Sequence, residues 1–137
     1  MKNLELGLLS EAEKRKSENE KSKFENPKPI KLIEFFCNVI NAGKDITILD
    51  FFAGSGTTGH AVLNLNKTDP GNRIFILCTN DEEIDHNGDT KKHRICSDVC
   101  YPRLKAAIGG YKIPRGEKIH GLGGNLKYLK TAFVKTS

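Results

Sequence analysis

The apolar residues of this 137-residue chain fall into short clusters separated by glycine, proline and charge, and the spacing inside each cluster predicts its backbone. Ile30, Ile33, Phe36, Cys37 and Ile40 recur at helical intervals behind Pro29. Proline suits a first helical turn because it lacks an N–H that the turn would leave unpaired, and Asn41-Ala42-Gly43 is a stop signal. Ile46–Leu49 is a short β-branched run that reads as a buried strand. Glycines follow it, and a helix of about ten residues is predicted from Thr57 or Thr58 towards Asn66. Asp69-Pro70-Gly71-Asn72 is a turn by composition. Arg73–Thr79 is a second strand, apolar enough to be covered on both faces. Asn80–Lys92 is polar and acidic, hence a loop. Cys96–Ile108 is helical, with Leu104, Ala107 and Ile108 on one face and Gly109-Gly110 at its end; Leu126–Val134 is a last strand.

Strand, helix, strand, helix, strand in this order predicts an α/β fold with a partial doubly wound, Rossmann-like parallel sheet. Three strands make half of such a sheet, and an open edge calls for a partner. Residues 1–25 form a polar leader, helical or disordered, in which Leu4, Leu6, Leu8 and Leu9 are the residues able to dock. Residues 26–137 are the folded unit.

Composition narrows the class. At 37% hydrophobic and 28% charged, the chain is an ordinary globular one, and no run approaches the roughly 20 apolar residues of a membrane span. The N-terminal residues lack the apolar core of a signal peptide. Four cysteines (Cys37, Cys78, Cys96, Cys100) are too few for a disulfide scaffold, so reduced thiols and a cytoplasmic location are expected. Cys37 and Cys78 read as small core residues. The net charge of +5 is concentrated at one end: residues 101–137 hold eight basic side chains and one acid, Glu117. Such a tail either contacts a polyanion or is a solvated surface. Tyr101, Tyr111 and Tyr128 lie among its basic residues, where base stacking competes with core packing. His86, His93, Cys96 and Cys100 fit no familiar zinc spacing, and no metal site is assigned.

The chemistry is concentrated in Leu49-Asp50-Phe51-Phe52-Ala53-Gly54-Ser55-Gly56-Thr57-Thr58-Gly59. A strand runs into glycines that let backbone lie against a ligand, and the following helix aims its free N–H groups at the same place. A phosphate-binding P-loop would need lysine after Gly59, but His60 stands there. Gly54-x-Gly56-x-x-Gly59 formally satisfies the dinucleotide fingerprint. Asp50 argues against it, since a carboxylate repels a pyrophosphate and suits a ligand bearing a positive charge.

These residues resemble the S-adenosylmethionine motif of the amino-methyltransferases that modify adenine N6 or cytosine N4 in DNA, and most closely the modification subunit of type III restriction–modification systems. Asn26-Pro27-Lys28-Pro29 with Leu32-Ile33 looks like the Lys-Pro motif that precedes the glycine turn in the permuted class. Gly109-Gly110-Tyr111-Lys112 and Gly121-Leu122-Gly123-Gly124-Asn125-Leu126-Lys127-Tyr128 are similar to the C-terminal stretch of those subunits. The resemblance implies a methyltransferase fold of which this chain is the cofactor-binding half. It implies S-adenosylmethionine as cofactor, with Lys28 and Pro29 bordering its methionine end and Asp50 accepting from its amino group. Phe51 and Phe52 belong to the same motif. Ala53, Gly54, Ser55 and Gly56 would supply close backbone, and Thr57 and Thr58 would contact the carboxylate. Asn80, Asp81 and Glu82 are the candidates for the ribose hydroxyls, with Asp81 and Glu82 unranked.

The same resemblance limits what the chain does alone. The family holds the flipped base with an Asp/Asn/Ser-Pro-Pro-Tyr/Phe segment, whereas the five prolines here (27, 29, 70, 102, 114) include no adjacent pair. No catalytic residue is therefore assigned. The expectation is the cofactor-binding portion of a site-specific DNA methyltransferase, for adenine N6 in preference to cytosine N4, inactive by itself. Its implied partners are DNA through the complete enzyme, an N-terminal catalytic and recognition portion, and a restriction subunit, with no membrane. A dinucleotide-binding module and a non-catalytic fragment that only associates with another subunit are the alternatives.

Overall fold

The computed structural model describes residues 28–40, 43–84, 93–112 and 118–132; the leader expected over 1–25 lies outside these described residues. Helix α1 (Ile30–Val39) starts where Pro29, in an extended conformation, accepts the N–H of Leu32. Strand β1 (Thr47–Asp50) leads through the glycine turn into α2 (Thr57–Thr68), and strand β2 (Ile74–Leu77) returns beside β1. The two strands are parallel, with Thr47 opposite Ile74 and Asp50 opposite Leu77. Beyond them, Glu83–Ile84 (β3) pairs antiparallel with His93–Arg94 (β4). A π-helical segment, Ile95–Cys100, continues into helix α3 (Tyr101–Gly109), and Gly110–Lys112 (β5) pairs antiparallel with Lys118–His120 (β6).

Helix α2 is the centre of the packing. Helices α1 and α3 and strand β2 all pack against it, and Ala61 and Val62 are wholly buried. The core joins Ala53, Leu63, Cys100, Leu104 and Ala107, with Phe75, Leu77, Ile108, Leu122 and Leu126 around them. Burying a side chain such as Val62 stabilises the fold by about 1.5–3 kcal/mol, which outweighs the weak helix propensity of the Thr-Thr-Gly start of α2. Arg73 fastens the α2–β2 turn, donating to both carboxylate oxygens of Asp69 at 2.8 Å. No helix among the described residues is long and apolar enough to cross a membrane.

Five sequence expectations change. The parallel sheet has two strands, and the doubly wound arrangement expected from three is not formed among the described residues. Over Leu126–Ala132 the chain is irregular where a last strand was predicted. The reason lies just upstream: the N–H groups of Leu122 and Gly123 donate to the carbonyls of Ala107 and Ile108. The stretch thus caps the carbonyl end of α3 and delivers Leu122 and Leu126 to the core, where local apolar content had suggested sheet pairing. Strand β2 is covered on one face only, because Phe75 and Leu77 meet the core while Leu49, Ile74 and Ile76 are about half exposed. On that strand's exposed side Cys78 also lies in solvent, whereas Cys37 is buried as expected. Finally, part of the segment read as a loop forms β3.

The face that α1 buries also differs from its apolar pattern. Ile30, Glu34 and Cys37 are covered, whereas Phe36 and Ile40 are exposed. Glu34 is tolerated there because its carboxylate accepts from Lys31 Nζ at 2.8 Å and from Asn64 Nδ2 of α2. A satisfied buried carboxylate thus replaces an apolar contact between the two helices.

Candidate ligand site at the glycine turn

Strand β1 ends at Asp50, and its carboxylate spans the turn that follows. Oδ1 accepts the N–H of Phe52 at 2.9 Å, and Oδ2 accepts Thr58 Oγ1 at 2.6 Å. Each oxygen keeps a lone pair for a further donor. The backbone beyond is drawn onto the sheet, for Cys78 N–H donates to Asp50 O at 2.8 Å and Ala53 N–H to Cys78 O at 3.1 Å.

Two glycines in the turn have positive φ, Gly54 at 51° and Gly56 at 80°. Gly56 is the N-cap of α2, and a Cβ there would lie 2.9 Å from Cys100 Sγ and 3.3 Å from Leu104 Cγ. Gly59 meets the opposite requirement, close packing of α2: a Cβ would come within 2.9 Å of Leu104 Cδ2 and 3.1 Å of Leu77 Cδ1. The glycine pattern legible in sequence therefore serves two purposes, a left-handed entry to the helix and an intimate helix–sheet contact.

The α3 side of the turn was not foreseen. Arg103 Nη1 donates to Ser55 O at 3.3 Å, Ser55 Oγ at 2.6 Å and Thr57 Oγ1 at 3.2 Å. Ser55, Thr57 and Thr58 are all buried. Burial also pushes the Cys100 thiol up to about 11, so it stays protonated behind the turn. Nothing local marks Arg103 in the sequence; only its place on a helix after the second strand is a hint.

At the carboxyl edge of the parallel pair lies a cavity of about 840 Å³, lined among others by Phe51, Cys78, Asn80, Asp81 and Tyr128; Asp50, Glu82 and residues 53–58 are not among the residues that line it. That size suits a nucleoside-sized ligand. Asp81 and Glu82 have different surroundings. Asp81 Oδ1 accepts the N–H groups of Cys96 and Ser97 at 3.2 and 3.1 Å, and its Oδ2 lies 3.5 Å from Arg94 Nη1. Partial desolvation opposes ionisation of Asp81, but those N–H groups and Arg94 outweigh it and hold the carboxyl below its usual range. Its carboxylate caps the first turn of the π-helical segment. Glu82 is exposed, with Oε2 accepting from Asn80 Nδ2 at 2.9 Å.

The other motif residues are dispersed. Phe51 and Phe52 are 64% and 92% exposed, leaving two aromatic faces beside Asp50 in solvent. Lys28 is exposed and Pro29 begins α1, whose bond to α2 runs through Asn64 in the middle of that helix. Two of the three tyrosines of the basic tail are engaged with each other and with lysines. Tyr101 and Tyr128 have ring centroids 5.0 Å apart, and Lys105 and Lys130 sit over their faces at 5.6 and 5.9 Å.

A parallel strand pair, with a glycine turn at its carboxyl edge and a helix N-terminus beside an acid, defines an α/β protein whose candidate ligand site lies at that edge. The comparisons give that class a family: the DNA methylase model matches residues 7–92, and the chain belongs to this family of N6- and N4-directed DNA methyltransferases. It is 49% identical over 69 residues to the type III restriction-modification enzyme StyLTI Mod subunit of Salmonella typhimurium, a match covering 50% of this chain and 10% of that protein. It is 52% identical over 61 residues to the EcoPI Mod subunit of Escherichia phage P1, covering 44% and 9%. With the type II methyltransferase M.KpnI of Klebsiella pneumoniae it shares 41% identity over 88 residues, covering 59% and 20%. The chain thus spans about a tenth of the type III subunits that it matches.

Proposed function

We propose that this chain is the S-adenosylmethionine-binding portion of a type III-like DNA methyltransferase acting on adenine N6, and that it does not methylate DNA by itself. The observation carrying the first part is the position of Asp50. Its carboxylate closes the turn through Thr58 and Phe52 while retaining acceptor capacity towards the ligand side. A pyrophosphate would face that negative charge unscreened; the ammonium group of an amino-acid ligand would be attracted to it. The N-terminus of α2 holds no acidic residue in its first turn, so its dipole favours the opposite pole, a carboxylate.

The residues present fit the cofactor. Asp50 would take its amino group, the backbone from Ala53 to Gly56 its close flank, and Thr57 and Thr58 its carboxylate. Asn80, Asp81 and Glu82 are the candidates for the ribose hydroxyls; Asn80 and Asp81 line the cavity, and Asp81 Oδ2 keeps acceptor capacity beside Arg94. Phe51 and Phe52 would cover the ligand, and Lys28 and Pro29 would border it. The chemistry supplied by S-adenosylmethionine when bound is an electrophilic methyl group. What this chain contributes is binding and orientation, the part of amine methylation that depends on placement.

The second part rests on the absence of adjacent prolines in the sequence, because the family's base-holding segment needs them. DNA, a catalytic and recognition portion and a restriction subunit are the partners proposed for the complete enzyme. Calorimetry with S-adenosylhomocysteine and with NAD tests the cofactor. Binding of the first alone supports the reading, and binding of NAD alone would replace it with a dinucleotide-binding module. Tritium transfer to cognate-site DNA by the purified chain would overturn the claim of inactivity.

A further inference from the structure

We propose that Arg103 is a positioning residue for the glycine turn: it holds the turn in its ligand-binding shape and backs the carboxylate pole of the site with positive charge. This rests on the cofactor reading above for the ligand, though not for the turn itself. One guanidinium nitrogen, Nη1, reaches three acceptors on the turn, the carbonyl and hydroxyl of Ser55 and the hydroxyl of Thr57. Those acceptors are 46 to 48 residues away in sequence, so α3 and the turn are joined by a contact that no local propensity creates. Ser55 and Thr57 are 3% and 6% exposed, and hydroxyls so buried need partners, which they find in each other at 3.4 Å and in Arg103.

A cation beside a helix N-terminus opposes the helix dipole, and the first turn of α2 itself holds no acidic residue. Asp50 is bonded to other parts of the turn, accepting from Phe52 N–H and Thr58 Oγ1. The turn thus has a negative pole at Asp50 and a positive pole at Arg103 with the start of α2. A zwitterionic amino-acid group matches both, whereas a ligand ending in an uncharged thioether matches neither.

The test compares the full chain with R103M and R103K by hydrogen exchange of the free protein, and by calorimetry with S-adenosylhomocysteine and 5′-methylthioadenosine, which lacks the amino-acid end. In R103M the amides of residues 54–59 are expected to exchange about tenfold faster or more, with α1 unchanged. Affinity for S-adenosylhomocysteine is expected to fall about tenfold and that for 5′-methylthioadenosine less than about twofold, with R103K intermediate in each readout. Unchanged exchange in the turn overturns the inference, and so does equal weakening of both ligands, which marks a merely structural arginine. If R103M does not fold, R103K decides by the same readouts. If the unaltered chain binds neither ligand, the cofactor reading falls, and the exchange measurement alone decides whether Arg103 holds the turn.

Discussion

Thr58 Oγ1 donates to Asp50 Oδ2 at 2.6 Å, joining the last residue of β1 to the second residue of α2 across the glycine turn. Thr58→Val keeps the shape and removes the donor, leaving a carboxylate oxygen without its partner. The expected cost is about 1.5–3 kcal/mol in urea denaturation, together with weaker binding of S-adenosylhomocysteine. Thr58→Ser, which restores the hydroxyl, should recover most of both. A valine variant as stable as the unaltered chain would show that the bond does not tie the turn.

Gly56→Ala tests the left-handed entry to α2. At φ 80° an alanine is strained by about 1–2 kcal/mol, and its Cβ meets Cys100 Sγ at 2.9 Å. Both effects destabilise, so the denaturation midpoint should fall clearly. Gly109→Ala is the control, because a Cβ there meets nothing within 4 Å.

Acidification should weaken the Asp69–Arg73 pair. Arg73 donates to both oxygens of Asp69, and this pairing holds the Asp69 carboxyl below its ordinary value of 3.8. The unfolded chain therefore takes up the proton first as pH falls. The contribution of the pair is fully present above the ordinary value and is lost as pH drops through the lower, folded one. Melting scans from about pH 6 to pH 2 should show a steeper fall for the unaltered chain than for Asp69→Asn, which is less stable at neutral pH. Parallel curves would mean that the pair contributes nothing.

The cysteines should react in order of exposure. Cys78 is exposed, while Cys100 is 4% exposed and pushed up to about 11 by burial. Brief alkylation near pH 8, read by mass spectrometry, should label Cys78 well before Cys100 and lose that order in denaturant. Equal labelling of the folded chain would contradict the packing of Cys100 behind Gly56.

The local elements of the site were legible because their causes are local. β-branched residues before Asp50, glycines where φ must be positive, and threonines opening a helix carry their conformations in the residue types themselves, and the observed β1, turn and α2 follow them closely. The same holds for Pro29 at the head of α1. What the amino-acid order could not settle were partnerships across space. Leu126–Ala132 has strand-like composition, yet the chain just before it binds the carbonyl end of α3, since those carbonyls need donors and Gly121–Gly124 can approach them. Asp81 and Glu82 are alike in sequence and differ only because the Cys96 and Ser97 N–H groups point at one of them. Arg103 reads as one more cation in a basic tail until α3 folds back on the turn. Conformational preference is a property of neighbouring residues, whereas hydrogen-bond saturation and burial depend on which distant groups the whole fold brings together.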